Sequence, residues 1–226
     1  MGKIGQVIAD MTGTLFHYGF SYTTLMANLR DKGPAFLDGT VPAEARRTVD
    51  AVRAESGLSG GREIMEYIFR KFDEGVADPN HLDLSMWINR PGYESGELIT
   101  PVFEDVPRNV KKWLNLDKMT STFSNCSVRE QRLMLKYTQA GDLRGYIPIS
   151  FGPAEVGSKN KPKSYRAICK ELGVSPRRAL FLSDSLRELD PAKEAGLEVA
   201  YVDRPGNKPM PKHNYRVIRS FDELNI

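Results

Sequence analysis

Hydrophobic and polar positions follow two different rhythms along this 226-residue chain. Between about residues 22 and 90, apolar residues recur every three or four positions, which is typical of amphipathic helices. The pattern predicts helices over residues 22–30, 42–55, 62–72 and 82–88, with a glycine-rich break at residues 57–61. This part of the chain is therefore expected to be helical.

From about residue 101, short apolar runs alternate with amphipathic segments. They predict strands over 118–124, 147–151, 179–182 and 197–202, helices over 103–113, 128–139, 164–172 and 188–195, an edge strand over 215–218 and a last turn over 221–224. Such alternation favours a parallel sheet covered by helices on both faces. The apolar run from Ile4 to Ala9 adds a first strand. We therefore predict an α/β core of residues 1–16 and 99–226, with residues 17–98 as a helical insertion.

Composition and charge exclude several classes of protein. Hydrophobic residues make up 40% and charged residues 27%, which are globular values. The net charge of only +3, without a dense Lys/Arg block, argues against nucleic acid as a partner. Neither a membrane-spanning apolar run nor a signal-peptide pattern is seen, and the two cysteines form no metal or disulfide framework. We expect a cytoplasmic monomer or homodimer that binds no membrane.

The first strand delivers a carboxylate, Asp10, to its carboxyl end, followed by Thr12, Gly13 and Thr14. Open α/β sheets bind their ligands at this edge. An aspartate held there can act as a covalent nucleophile, with phosphoryl groups as a common target. The alternative is that Asp10 only starts a turn or caps a helix.

Two further strand ends carry polar residues. Ser124 and Asn125 follow the strand over 118–124, where a hydroxyl and free amides could hold phosphoryl oxygens, although capping of the next helix explains them equally well. Asp184 follows the strand over 179–182, and Glu188 lies four residues later, so both can face a cation. Mg²⁺ prefers few protein carboxylates together with phosphate oxygens, which suits Asp10 and Asp184.

A basic cluster of Lys159, Lys161 and Lys163 lies between these strand ends. One of the three could neutralise the nucleophile and the incoming phosphoryl charge. Because lysine clusters are usually solvated, at most one is expected to be essential.

Taken in their order along the chain, the residues around Asp10, Ser124, Lys159 and Asp184 resemble the four motifs of haloacid dehalogenase superfamily hydrolases. Residues 10–14 are similar to the first motif, Ser124 to the second, Lys159 to the third, and Ser183-Asp184 with Glu188 to the fourth. The resemblance implies a Rossmann-like parallel-sheet core with a helical cap inserted after the first strand. It also implies Mg²⁺-dependent hydrolysis of a small phosphorylated metabolite through an aspartyl phosphate on Asp10.

The same resemblance implies roles for the remaining site residues. Thr12 would offer its backbone carbonyl to the metal beside Asp10 and Asp184. The phosphoryl group would be held by Thr14, Ser124, Asn125 and Lys159, while Glu188 would support the metal or orient Lys159.

Enolase-phosphatases resemble the chain more closely. The similar segments are residues 123–127 with Glu130-Gln131, residues 157–159 with 164–166, residues 181–184 with 187–188, and the Arg204-Pro205-Gly206-Asn207 segment. Lys159 lies six residues before Tyr165, as the family lysine does, whereas Lys161 lies four before it. Lys159 is therefore preferred, with Lys161 as the alternative.

Thr12 departs from this pattern, because enolase-phosphatases carry glutamate two positions after the nucleophile. That acid protonates the leaving oxygen and later activates water, which threonine cannot do at neutral pH. The Asp-x-Thr-Gly-Thr pattern also resembles P-type ATPases, whose aspartyl phosphate is longer-lived. His17, Tyr18 and Tyr22 are nearby candidates for the missing acid.

Two alternatives stay open. A metal-independent 2-haloacid dehalogenase would also use Asp10, but the extra carboxylate of Asp184 calls for a cation. A low-turnover phosphate-binding or regulatory relative would explain Thr12. The intact charges of Asp10, Lys159 and Asp184 argue against it.

Overall fold

The computed structural model describes residues 4–226 and divides the chain into two compact units. One contains the chain up to Phe20 together with Ile99–Ile226, and the other is Ser21–Leu98. Within the described residues, no helix has the length and apolar character needed to cross a membrane.

The first unit is built on a parallel sheet, as the alternating pattern predicts. Its strands are β1 (Gln6–Ala9), β2 (Met119–Phe123), β3 (Ile149–Phe151), β4 (Ala179–Ser183), β5 (Glu198–Val202) and β6 (Arg216–Ile218). They are ordered β3-β2-β1-β4-β5-β6, and every neighbouring pair is parallel. β1 therefore lies inside the sheet, which agrees with its four fully buried residues. The predicted α/β fold class is confirmed.

The second unit is helical and has its own apolar core. Its helices are α1 (Met26–Asp38), α2 (Arg46–Ser56), α3 (Gly61–Asp73) and α4 (Pro79–Ser95). Their inward faces supply a cluster that includes Leu29, Val52, Ile64, Ile68 and Leu84. The role of this unit as a cap over the site stays a prediction.

Helices α1 and α4 are longer than their predicted segments. α1 continues through Gly33 because α3 packs so closely there that a Cβ at Gly33 would lie 2.7 Å from Met65 Sδ. α4 starts at a cap, since Asp78 accepts hydrogen bonds from the backbone amides of Asn80 and His81, and it runs on through Pro91. Both helices thus continue through a proline, Pro34 in α1 and Pro91 in α4, although proline locally tends to end a helix.

The helices of the first unit are α5 (Asp105–Asn115), α6 (Val128–Lys136), α7 (Pro153–Val156), α8 (Pro162–Glu171) and α9 (Leu186–Glu194). All except the short α7 correspond to predicted segments, with ends shifted by up to three residues. The core between sheet and helices includes Ile8, Phe123, Tyr165, Phe181 and Leu189. Tyr165 contacts both Phe123 and Phe181 edge-on, which fixes α8 against the centre of the sheet.

Candidate active site

The register of the sheet brings three strand ends together. Ala9 of β1 pairs with Thr122 of β2 on one side and with Leu182 of β4 on the other. Because the strands are parallel, the residues that follow them leave the sheet side by side at its carboxyl edge. Asp10, which follows β1, is therefore flanked by the loops that contain Ser124 and Asp184.

Lys159 is the lysine that meets the Asp10 carboxylate. Its Nζ lies 2.5 Å from Asp10 Oδ1 and 2.7 Å from Glu188 Oε2, and only 2% of the side chain is exposed. The Tyr165 hydroxyl donates a 2.8 Å hydrogen bond to the Lys159 carbonyl, while Ser183 donates one of the same length to Glu188. One hydroxyl thus holds the backbone of Lys159 and the other holds the carboxylate of Glu188. Together they limit the movement of the Lys159 ammonium. Lys161 and Lys163 are exposed.

Gly13 allows Asp184 to pack directly against the loop that follows Asp10. The glycine has φ +76°, and a Cβ there would lie 2.4 Å from Asp184 Oδ2 and 2.9 Å from Asn207 Oδ1. The Asn207 amide donates a 2.9 Å hydrogen bond to the Gly13 carbonyl. Only glycine combines this backbone conformation with so close an approach.

The carboxyl groups of this site outnumber the buried ammonium beside them. Burial raises the pKa of Asp10 from 3.8 to about 8, against the lowering effect of Lys159. Burial likewise raises the pKa of Asp184 to about 6, with a further contribution from Glu188. Burial lowers the pKa of Lys159, but the carboxylates of Asp10 and Glu188 outweigh it and the net shift is upward. One ammonium thus faces three carboxyl groups.

A hard divalent cation fits this excess of negative charge. Oxygen donors from Asp10 and Asp184 are the type that Mg²⁺ prefers, and a cation beside them would favour their ionised forms. Thr12, between Asp10 and Gly13, has the backbone carbonyl assigned to the metal by the family resemblance.

A second group of metal-ligating side chains, in the helical unit, does not fit one ion. The ligand atoms of Glu55, Asp78 and His81 lie within 4.8 Å of one another. However, Glu55 Oε2 is 3.0 Å from Nε2 of His81, whereas Asp78 Oδ1 is 3.4 Å from Nδ1 on the other side of the ring. Nδ1 also accepts a hydrogen bond from the Asp78 backbone amide, so this cluster caps α4.

The residues predicted to hold phosphate differ in burial and in hydrogen bonding. Ser124 is buried and receives a hydrogen bond from the Cys126 thiol at 3.4 Å, whereas Asn125 is exposed. Burial raises the pKa of Cys126, which keeps the thiol protonated. Thr14 is fully buried, and its hydroxyl has no hydrogen-bond partner among the described residues.

Three residues are candidates to replace the missing acid, and each has its own contacts. His17 stacks on Phe103 with 4.2 Å between ring centroids, and Tyr22 is an exposed residue of the helical unit. Tyr18 lies beneath Lys208, whose Nζ is 5.7 Å from the ring centroid.

The loop after β5 contributes residues that the sequence pattern did not single out as site residues. Asn207 contacts the loop that follows Asp10, and Arg204 forms two 2.9 Å hydrogen bonds with the Asp105 carboxylate. Arg204 is only 4% exposed, so it braces the core. The signal available in the sequence was position: both residues follow a strand whose end lies at the same edge as Asp10.

Comparison with known proteins gives one consistent picture. The haloacid dehalogenase-like hydrolase family model matches residues 4–196. The chain is 31% identical to enolase-phosphatase E1 of Sorangium cellulosum over 224 residues, which cover 96% of each chain. It is 38% identical over 134 residues to enolase-phosphatase E1 of Leptospira borgpetersenii, a match that spans 59% of this chain but only 58% of that protein.

A solved structure supports the same fold. The UTR4 protein of Saccharomyces cerevisiae superposes with a TM-score of 0.82 at 27% identity, covering 98% of this chain and 100% of that one.

Proposed function

The chain belongs to the haloacid dehalogenase-like hydrolase family, and from that premise we propose that it is a Mg²⁺-dependent phosphatase. It would cleave a small phosphorylated metabolite through an aspartyl phosphate on Asp10. The observation that carries the proposal is the position of the Lys159 ammonium, 2.5 Å from Asp10 and 2.7 Å from Glu188. A buried lysine in that position holds the carboxylate and offsets the charge of an arriving phosphoryl group.

In the proposed reaction an Asp10 oxygen attacks phosphorus while the bond to the leaving oxygen breaks, and the leaving oxygen takes its proton from solvent. Ser124 and the amides of its loop would hold the phosphoryl oxygens, and Lys159 would balance their charge. Asp10, Asp184 and the Thr12 carbonyl would hold Mg²⁺, which supplies further charge neutralisation when bound. Water would then attack phosphorus, and the bond between phosphorus and the Asp10 oxygen would break. Inorganic phosphate leaves, the water protons pass to phosphate and solvent, and Asp10 returns to its carboxylate form.

Enolase-phosphatase E1 relatives support a small phosphorylated substrate, as does the similarity over nearly the whole chain. The glutamate expected two positions after Asp10 is replaced by Thr12, however, so proton transfer at this position is missing. We therefore propose a phosphatase related to enolase-phosphatases without assigning their substrate.

Dehalogenation is less well supported, because Asp184 lies against the nucleophile loop and adds an anion that an attack on carbon does not use. A purely regulatory phosphate-binding protein would have no physical need for buried Asp10 and Lys159 together with the half-buried Asp184.

The test is hydrolysis of p-nitrophenyl phosphate with Mg²⁺ and with chelator. We expect metal-dependent turnover in the wild type and its loss in Asp10→Asn. Asp73→Asn, which changes an exposed carboxylate at the end of α3, serves as the control and should retain activity. Halide release from 2-chloropropionate in the presence of chelator would contradict the proposal.

A further inference from the structure

The segment after β5 is fastened to the nucleophile loop. The Asn207 side-chain amide donates hydrogen bonds to the Gly13 carbonyl at 2.9 Å and to the Val202 carbonyl at 3.3 Å. These two contacts tie the loop to its own strand and to the residues after Asp10. The backbone of the next residue, Lys208, is therefore held beside the candidate site.

The Lys208 side chain extends over the aromatic ring of Tyr18. Its Nζ lies 5.7 Å from the centroid of Tyr18, which is within the range of a cation–π contact. The residue is exposed, so its ammonium is open to a ligand from solvent. Asn207, the residue before it, contacts the Gly13 carbonyl, which keeps Lys208 next to the loop that follows Asp10.

The two lysines of this edge differ in what they can bind. Lys159 is 2% exposed and its ammonium is held between two carboxylates, so it serves the nucleophile. Lys208 has no such enclosure. A cation bound at Asp184 would also cancel the attraction between Lys208 and that carboxylate, which leaves the Lys208 ammonium available for an anion of the substrate.

We propose that Lys208, supported by the face of Tyr18, binds a second anionic group on the leaving portion of the substrate. The enzyme would then prefer phosphate esters that also carry a carboxylate or a second phosphate. This inference rests on the proposed phosphatase function, because it assigns the preference of the same site.

Binding of non-hydrolysable phosphonates in the presence of Mg²⁺ tests the inference without turnover. The probes are methylphosphonate, which has no second anion, phosphonoacetate, which adds a carboxylate, and methylenediphosphonate, which adds a second phosphonate. Affinities are measured by titration calorimetry for the wild type, Lys208→Met and Lys212→Met. Lys212 is a matched control, since it is an exposed lysine on the same segment.

We expect the wild type to bind at least one doubly anionic probe more tightly than methylphosphonate. In Lys208→Met this preference should fall about fivefold, the size of one exposed ion pair, whereas Lys212→Met should keep it. The probe with the larger fall identifies the second anion as carboxylate or phosphate.

Three results would overturn the inference: no preference in the wild type, no fall in Lys208→Met, or an equal fall in Lys212→Met. Hydrolysis of p-nitrophenyl phosphate, measured in parallel, reports on the proposed function separately.

Discussion

Thr12 departs from the enolase-phosphatase pattern, which has glutamate two positions after the expected nucleophile. Its hydroxyl does not ionise near neutral pH, so in the proposed reaction neither departure of the leaving group nor attack of water would receive acid–base help from this position. Such help commonly contributes about 10²–10⁴-fold to the rate. The replacement therefore affects both chemical steps.

Restoring a carboxyl at this position should raise turnover. We expect Thr12→Glu to increase kcat for an alkyl phosphate by about 10²-fold, because alkoxide is a poor leaving group without a proton. Thr12→Gln is the control, since it has nearly the same size but no titratable group. An equal gain in both variants would show that shape, and not proton transfer, limits the wild type.

Asp184 predicts a pH dependence of stability in the metal-free protein. Burial raises its pKa from 3.8 to about 6, so the folded state binds a proton more tightly than the unfolded state. The wild type should therefore lose stability relative to Asp184→Asn as pH rises from about 4 to 6, by roughly 2 kcal/mol in the free energy of unfolding. Denaturant melts of both proteins in chelator measure the difference, and a difference that is the same at pH 4 and pH 7 would contradict it.

Lys159 should matter to stability as well as to catalysis. Lys159→Met leaves the buried carboxylates of Asp10 and Glu188 without their cation, which should cost about 3–5 kcal/mol when both are ionised. Lys161→Met is the control, because that lysine is exposed and should change stability by less than about 0.5 kcal/mol. Equal melting temperatures for the two variants at pH 8 would contradict the observed contacts.

At the level of secondary-structure elements, Arg204 joins three parts of the core. It follows β5, pairs with Asp105 at the start of α5, and donates a 2.8 Å hydrogen bond to the Arg219 carbonyl after β6. The same Asp105 carboxylate accepts a hydrogen bond from the Phe221 amide at 2.6 Å. This buried ion pair thus links the start of α5 to the segments that follow β5 and β6.

Removal of one partner of this pair should therefore be costly. We expect Arg204→Met to lower the free energy of unfolding by about 3 kcal/mol or more, because the Asp105 carboxylate stays buried without its cation. Arg219→Met is the matched control: its contact with Asp203 is exposed, and its loss should cost less than about 1 kcal/mol. A similar cost for both variants, measured in denaturant melts, would refute this role for Arg204.

Periodicity predicted most elements, because strands and amphipathic helices bury faces that recur at fixed intervals. It did not predict the run of α1 through Gly33 and Pro34 or of α4 through Pro91. At Gly33, α1 packs closely against Met65 of α3, a contact between residues distant in sequence. Local signals do not contain such contacts.

The site was partly predictable because several of its residues follow predicted strands. Asp10, Ser124 and Asp184 could be placed from strand ends alone, and the spacing of Lys159 to Tyr165 favoured the lysine that contacts Asp10. Asn207 and Lys208 also follow a strand, but that position does not indicate their partners, Gly13 and Tyr18, because those contacts form only when loops nearly 200 residues apart meet.

For the whole molecule, the central claim is that a sheet edge assembled from distant segments makes Asp10 a phosphoryl acceptor. Asp10 and Lys159 are 149 positions apart, and both belong to the unit formed by the chain up to Phe20 and Ile99–Ile226. Because Thr12 cannot assist attack by water, a phosphorylated Asp10 should persist long enough to be trapped.

The most direct test is acid-quenched mass spectrometry of the protein after milliseconds to seconds with an activated aryl phosphate and Mg²⁺. The account predicts one added phosphoryl group, located by digestion to the peptide that contains Asp10, and none in Asp10→Asn. Product release without any phosphorylated protein in the wild type, or the same adduct in Asp10→Asn, would contradict it.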